Sequence, residues 1–143
     1  MKDTILSISG RPGLFRLVSR GNGNIIVETI DEVKKRFAVG TRERVTSLND
    51  ITMYSDEDNV ELMKVFKTIC EAHAGKAVAL NHKTAAKEEL DAFMAEALPT
   101  YDRDRVHASD IRKLLQWYNI LVTNGYTDFV TEEEEAEAEE ANS

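Results

Sequence analysis

Near Ser55 the apolar residues change their spacing, and no other feature constrains the fold as strongly. Before that point they form short runs rich in β-branched types and punctuated by glycine. After it they recur at i, i+3, i+4 and i+7. Alternating or continuous short runs suit half-buried strands, and the wider period suits helices with one apolar face. The chain is therefore expected to be α+β: a small β unit over 1–54, a helical unit over 55–130, and a tail over 131–143. At 143 residues it suits one compact domain or two small units sharing a core.

In the first part, Ile5-Leu6-Ser7-Ile8 fits either a strand or a helical turn. Gly10-Arg11-Pro12-Gly13 is a turn, because Pro12 sets φ at about −65° and Gly13 accepts the positive φ of a type II reversal. Leu14 to Ser19 reads as a strand. Gly21-Asn22-Gly23-Asn24 signals a hairpin. Ile25 to Ile30 is the clearest strand. Asp31 to Lys35 turns the chain into a third strand, Arg36 to Val39. Gly40 breaks it, Arg44-Val45 offers a brief further pairing, and Ile51 to Tyr54 alternates as a last strand. Several short strands with tight turns imply a small barrel or curved sheet, since closure removes exposed edges. An SH3-like barrel is the specific expectation.

Ser55-Asp56-Glu57-Asp58 is expected to start a helix, with oxygens for the free backbone N–H groups and negative charge at the positive dipole end. Leu62, Val65, Phe66, Ile69 and Cys70 would form its buried face, and Gly75 its stop. A connection from Lys76 to Lys83 leads to a second helix, about Thr84 to Leu98, with Leu90, Phe93, Met94, Ala97 and Leu98 inward and Pro99 beyond. Ser109 or Asp110 would cap a third, carrying Ile111, Leu114, Leu115, Tyr118, Leu121 and Val122, with Asn124-Gly125 as its left-handed end. Trp117 and Ile120 widen that face.

The net charge of −8 is unevenly placed. Residues 1–54 hold nine Lys and Arg against six Asp and Glu, residues 55–130 nine against thirteen, and the tail seven glutamates. The β half is thus mildly basic, and local fields rather than the overall charge steer partners. The tail has too few apolar groups to offset its ordering entropy, so disorder is expected. It serves solubility, folds back over the basic β surface as a nucleic-acid mimic, or meets a basic partner.

Three stretches, Ile5–Val18, Val45–Tyr54 and Leu98–Asn119, resemble an uncharacterised family of Bacteroidetes proteins. The resemblance spans most of residues 3–130 and leaves out the tail. It implies an N-terminal small β domain followed by a helical one, both of unknown function. It carries no activity and no site residues.

The residues themselves point away from catalysis. His73, His82 and His107 are far apart and none has a metal-ligand spacing with Cys70, whereas zinc sites pair ligands a few residues apart. Cys70 falls on an apolar helix stripe and reads as a packed small hydrophobe. Asp102-Arg103-Asp104 is half of an acidic metal motif, and a loop capping the next helix explains it as well. Gly10–Gly13 lacks the spacing and the Lys-Ser/Thr of a phosphate loop. No catalytic, metal or cofactor residues are assigned, and no cofactor is expected.

Two surfaces remain as candidates. Arg11, Arg16, Arg20, Lys34, Lys35, Arg36, Arg42 and Arg44 would make a nucleic-acid or partner surface if the fold gathers them, with Phe15 or Phe37 as aromatic platform. The favoured alternative is a set of solvated turns with Arg16 alternating outward, because the β half lacks the dense basic stripe of a committed nucleic-acid binder. Trp117 is a partner anchor if it is exposed and core if it is not. The expected role is a non-enzymatic protein-interaction or adaptor module, acting on a protein partner or a second copy through Trp117 or the β–helical junction. The alternative is weak RNA or ribosome association through the basic β face, gated by the tail. A small metal-dependent or hydrolytic enzyme is the distant third. One cysteine and the lack of a long apolar run favour a cytoplasmic, non-membrane protein.

Overall fold

The computed structural model describes residues 3–40 and 42–129. The tail expected to be disordered lies outside them. Five strands, β1 (Ile5–Ile8), β2 (Phe15–Arg20), β3 (Asn24–Thr29), β4 (Arg36–Gly40) and β5 (Val45–Ser47), form an antiparallel sheet in the order β4-β3-β2-β1-β5. The opening Ile5–Ile8 is strand. Among the described residues β4 and β5 do not pair, so the sheet is open where a closed SH3-like barrel was expected. Two features account for this shape. A register shift between Leu17 and Ser19 bends β2, as a bulge does. β5 has only three residues with which to reach across the gap.

Strand alternation gives the sheet two apolar faces. Leu6, Ile8, Phe15, Val27 and Val39 form a small core of the sheet's own. Ile5, Leu14 and Ile30, with Leu48 from a 3₁₀ turn (Leu48–Asp50), point the other way and merge with the helical core. The β half and the helical half therefore share one continuous apolar interior.

Two sequence expectations fail after the 3₁₀ turn. Ile51–Tyr54 does not extend the main sheet. Instead β6 (Thr52–Met53) pairs with β7 (Val60–Glu61) in a separate ribbon. Ser55–Asp58 is the turn of that ribbon, and the first helix starts only at Leu62. The Ser55 hydroxyl donates to the Asp58 carbonyl (2.8 Å) and accepts from the Glu57 N–H (3.1 Å). This local bonding competes with helix formation, as serine often does outside caps. The segment is also held from outside: Asp102 N–H donates to Tyr54 O (2.9 Å) and Asp56 N–H to Thr100 O (2.8 Å).

The helices are α1 (Leu62–Ala72), α2 (Lys87–Ala97) and α3 (Ala108–Thr123). Their expected inward residues are buried, apart from Cys70 and Val122, which are half-buried, and Met63 joins them. α2 begins three residues later than its spacing suggests, because Thr84 and Ala85 N–H groups both donate to Asn81 O in a turn (3.2 and 2.9 Å). The cap of α3 is His107 in place of Ser109 or Asp110, and Asp110 serves from inside, its carboxylate accepting the His107 N–H (3.0 Å). Gly125 takes φ +89°, which lets Tyr126 N–H close back on Leu121 O (2.8 Å). The chain then returns Phe129 to the core, against Phe66 (5.4 Å between centroids) and Tyr118 (6.2 Å).

Candidate functional site

The eight basic residues do not form one patch. Arg16 and Arg36 share Glu28 (3.2 and 2.8 Å) on one face of the sheet, at paired positions of β2, β3 and β4. Arg11 is taken by Glu43 (3.1 and 3.3 Å) and lies over the Phe37 ring at 4.8 Å. Lys34 and Lys35 occupy the β3–β4 turn. There the Asp31 carboxylate accepts from Lys34 N–H and the Thr29 hydroxyl, and these bonds hold its pKa below the usual value. Arg20 sits at the end of β2, and Arg42 and Arg44 in the β4–β5 loop. Neither aromatic platform is available: Phe15 is buried, and Phe37 packs edge-on against it beneath Arg11. The premise of a single RNA-binding face is therefore absent.

Glu28 is a charge clamp. Its hydrogen bond to Arg36 lowers its pKa below 4.5, burial opposes this, and Arg16 lowers it further. A carboxylate whose folded pKa is depressed stabilises the fold above its unfolded value, and the benefit is lost as pH falls through the folded value. Glu28 should titrate below the ordinary glutamate value in a side-chain NMR titration. The Glu28→Gln variant should show a shallower acid-side loss of stability than the parent, and an identical acid limb would refute the clamp.

The other sequence candidates resolve into structural roles. Asp102 spends its oxygens on Asp104 and Arg105 backbone N–H groups (2.9 and 3.2 Å) and on the Arg105 side chain (3.5 Å). His73 meets Glu96 at 3.2 Å. Cys70 approaches Thr127 O at 3.8 Å. Among the described residues no group of three or more His, Cys, Asp or Glu is placed to hold a metal ion, and no helix is long and apolar enough to cross a membrane.

Trp117 is neither fully core nor freely exposed. It is half-buried and lines a groove of about 180 Å³ where the β6–β7 ribbon meets α3. Ile51, Met53, Leu62, Val106 and Leu114 supply its apolar lining. Tyr54 borders it and is 44% exposed. The Arg105 guanidinium lies 5.3 Å from the Tyr54 ring, and the Lys113 ammonium 6.0 Å from the Trp117 ring, so each aromatic carries a cation. The backbone bonds between 54–56 and 100–102 bring Tyr54 to this place. Tyr54 reads as strand in the sequence and nothing local links Arg105 to Trp117, whereas Lys113, four residues before Trp117 on α3, is legible from the i,i+4 spacing.

With this geometry, comparison with known proteins gives a consistent placement. Residues 3–48 match a domain of unknown function (DUF5606), and residues 51–121 match another (DUF6852). A solution NMR structure of a protein from Bacteroides vulgatus, a structural-genomics target, is similar over 91% of this chain and 92% of that one. It is 50% identical, with a TM-score of 0.74. The chain belongs to the Bacteroidetes family that joins these two domains of unknown function. No match is found among curated proteins.

Proposed function

We propose that this protein is a non-enzymatic interaction module whose seam groove takes a short apolar and acidic segment of a partner protein. The observation that carries this reading is the pairing of an exposed Tyr54 with a half-buried Trp117 across one apolar groove. Large aromatic side chains with apolar bodies and polar tips are the commonest anchors of protein interfaces. At about 180 Å³ the groove is sized for one large apolar side chain. Of its two rim cations, Arg105 is already ion-paired with Asp102 (3.5 Å), so Lys113 is the one a partner carboxylate beside that side chain would meet. Strand order, with β5 returning beside β1, supports reading the β unit as an open SH3-like sheet. The half-buried free Cys70 fits a cytoplasmic setting.

Trp117 is the sole tryptophan, so its fluorescence reports on the groove directly. A peptide with one phenylalanine between glutamates should shift and saturate the emission, and a peptide with lysines in their place should not. Tyr54→Ala should weaken the response about tenfold, the scale of a lost aromatic anchor, without lowering the melting temperature. An unchanged emission, or equal responses to both peptides, would overturn the reading. A dimer in sedimentation that Tyr54→Ala dissolves would assign the groove to a second copy, and the partner reading would fall.

A further inference from the structure

We propose that the concavity between the β1–β2 turn and the β4–β5 loop binds the phosphate of an organic phosphate. Ser9, Gly10, Arg11, Arg42, Glu43 and Arg44 line it. Three arginines and a single acid thus line one concavity. That acid is already committed: Glu43 makes two hydrogen bonds to Arg11 and holds it against Phe37. Arg42 and Arg44 are exposed, and no acid among the described residues pairs with either. The Arg44 backbone is held by Ser9, whose N–H donates to Arg44 O (2.9 Å), and Glu43 N–H donates to Gly40 O (3.3 Å). Two forks without an acid partner among the described residues are suited to tetrahedral oxyanions, which guanidinium groups recognise through paired N–H donors.

The floor favours close approach. Gly10 presents bare backbone, with no atom within 4 Å of where a Cβ would stand. Across Glu43 lies a second cleft of about 570 Å³, between the unpaired edges of β4 and β5. Leu17, Ile25, Val39 and Val45 give it an apolar wall, and Arg20 and Asp50 also line it. Its size falls within the range of small-ligand sites, roughly 300–1,000 Å³. The phosphate would rest on Arg42 and Arg44 while the organic part enters this cleft. The site shares no residue with the seam groove, so each stands or falls alone.

The test is an amide NMR titration of the full chain at low ionic strength, with three probes: inorganic pyrophosphate, a nucleoside triphosphate and a single-stranded oligonucleotide. Saturable shifts are expected at residues 9–11 and 42–44 with the nucleoside triphosphate, extending to Leu17, Ile25 and Val39. Tighter binding of the oligonucleotide at the same residues would identify the source as a polynucleotide, and equal or weaker binding a mononucleotide; the phosphate site stands in both cases. The Arg42→Ala/Arg44→Ala variant should lose about tenfold or more in affinity, the scale of lost charge-assisted hydrogen bonds. Lys34→Ala/Lys35→Ala removes the same charge elsewhere and should bind nearly as the parent does. Absence of saturable shifts with the nucleoside triphosphate overturns the proposal, and so does pyrophosphate binding as tightly, or equal weakening by the two variants.

Discussion

Replacing Phe66 with alanine should destabilise the protein by about 3–5 kcal/mol, the usual cost of truncating a buried aromatic residue. Phe66 is fully buried, and its ring meets Tyr118 at 6.3 Å and Phe129 at 5.4 Å. Truncation leaves a cavity under both rings and frees the segment that returns Phe129 to the core. Few neighbours can collapse into the space, because Leu62, Ile69, Leu115 and Leu121 are themselves fully buried. The effect should reach the sheet. Ile5, Leu14, Ile30 and Leu48 belong to the same apolar cluster as α1 and α3. Helical circular dichroism and the amide protection of β1 and β2 should therefore be lost in one transition, shifted to lower denaturant with an unchanged slope. Two separate transitions, or a sheet that keeps its parental midpoint, would mean that the halves fold independently despite their shared interior.

That shared interior marks the limit of what periodicity reveals. β3 and the inward faces of α1, α2 and α3 are legible because each residue's burial follows from neighbours one to eight positions away. Ser55–Asp58 misleads for the converse reason. Its residue types suit a helix start, but Asp56 N–H is engaged by Thr100 and the adjoining Tyr54 carbonyl by Asp102, some 45 residues later in the chain. Barrel closure was equally out of reach, since it depends on how far a three-residue β5 extends across a bent sheet. The basic residues could be counted but not placed: alternation puts Arg16 outward, and only the register sets Glu28 between it and Arg36. Trp117 was legible as a candidate anchor. Its partner Tyr54 was not, because the two are joined through the 54–56 and 100–102 backbone pairing and no short motif records such a meeting. The interaction reading and the phosphate site thus both rest on geometry contributed by distant segments.

The connection between α1 and α2 makes the same point through hydrogen bonds, and Asn119→Ala should expose it. This stretch, residues 73–86, contains no strand or helix, so its backbone groups need partners from elsewhere. α3 supplies them from successive turns. The Tyr118 hydroxyl donates to Lys76 O (2.8 Å), and Arg112 donates to His82 O and Ala85 O (both 2.9 Å). Asn119 does both jobs at one residue, accepting from Val78 N–H (2.8 Å) and donating to Val78 O (3.1 Å), as a neighbouring strand would. Val78 is buried, so removing the amide leaves two of its polar groups without a partner. At about 1–3 kcal/mol for each unsatisfied group, partly relieved by water at the site, Asn119→Ala should cost about 2–4 kcal/mol. Asn119→Asp keeps the acceptor, loses the donor and faces a carboxylate with the Val78 carbonyl, so it should be no more stable than the alanine variant. Tyr118→Phe removes one hydrogen bond and should cost about 1 kcal/mol. It should also flatten the alkaline limb: burial lifts the Tyr118 pKa to about 12, so stability falls as pH rises from the ordinary value near 10 toward that value. Hydrogen exchange at Val78 and Ala79 reports on the connection directly. Faster exchange there in Asn119→Ala, with α1 and α2 protected as in the parent under native conditions, is the expected pattern; parental protection at Val78 would show that the clamp is dispensable.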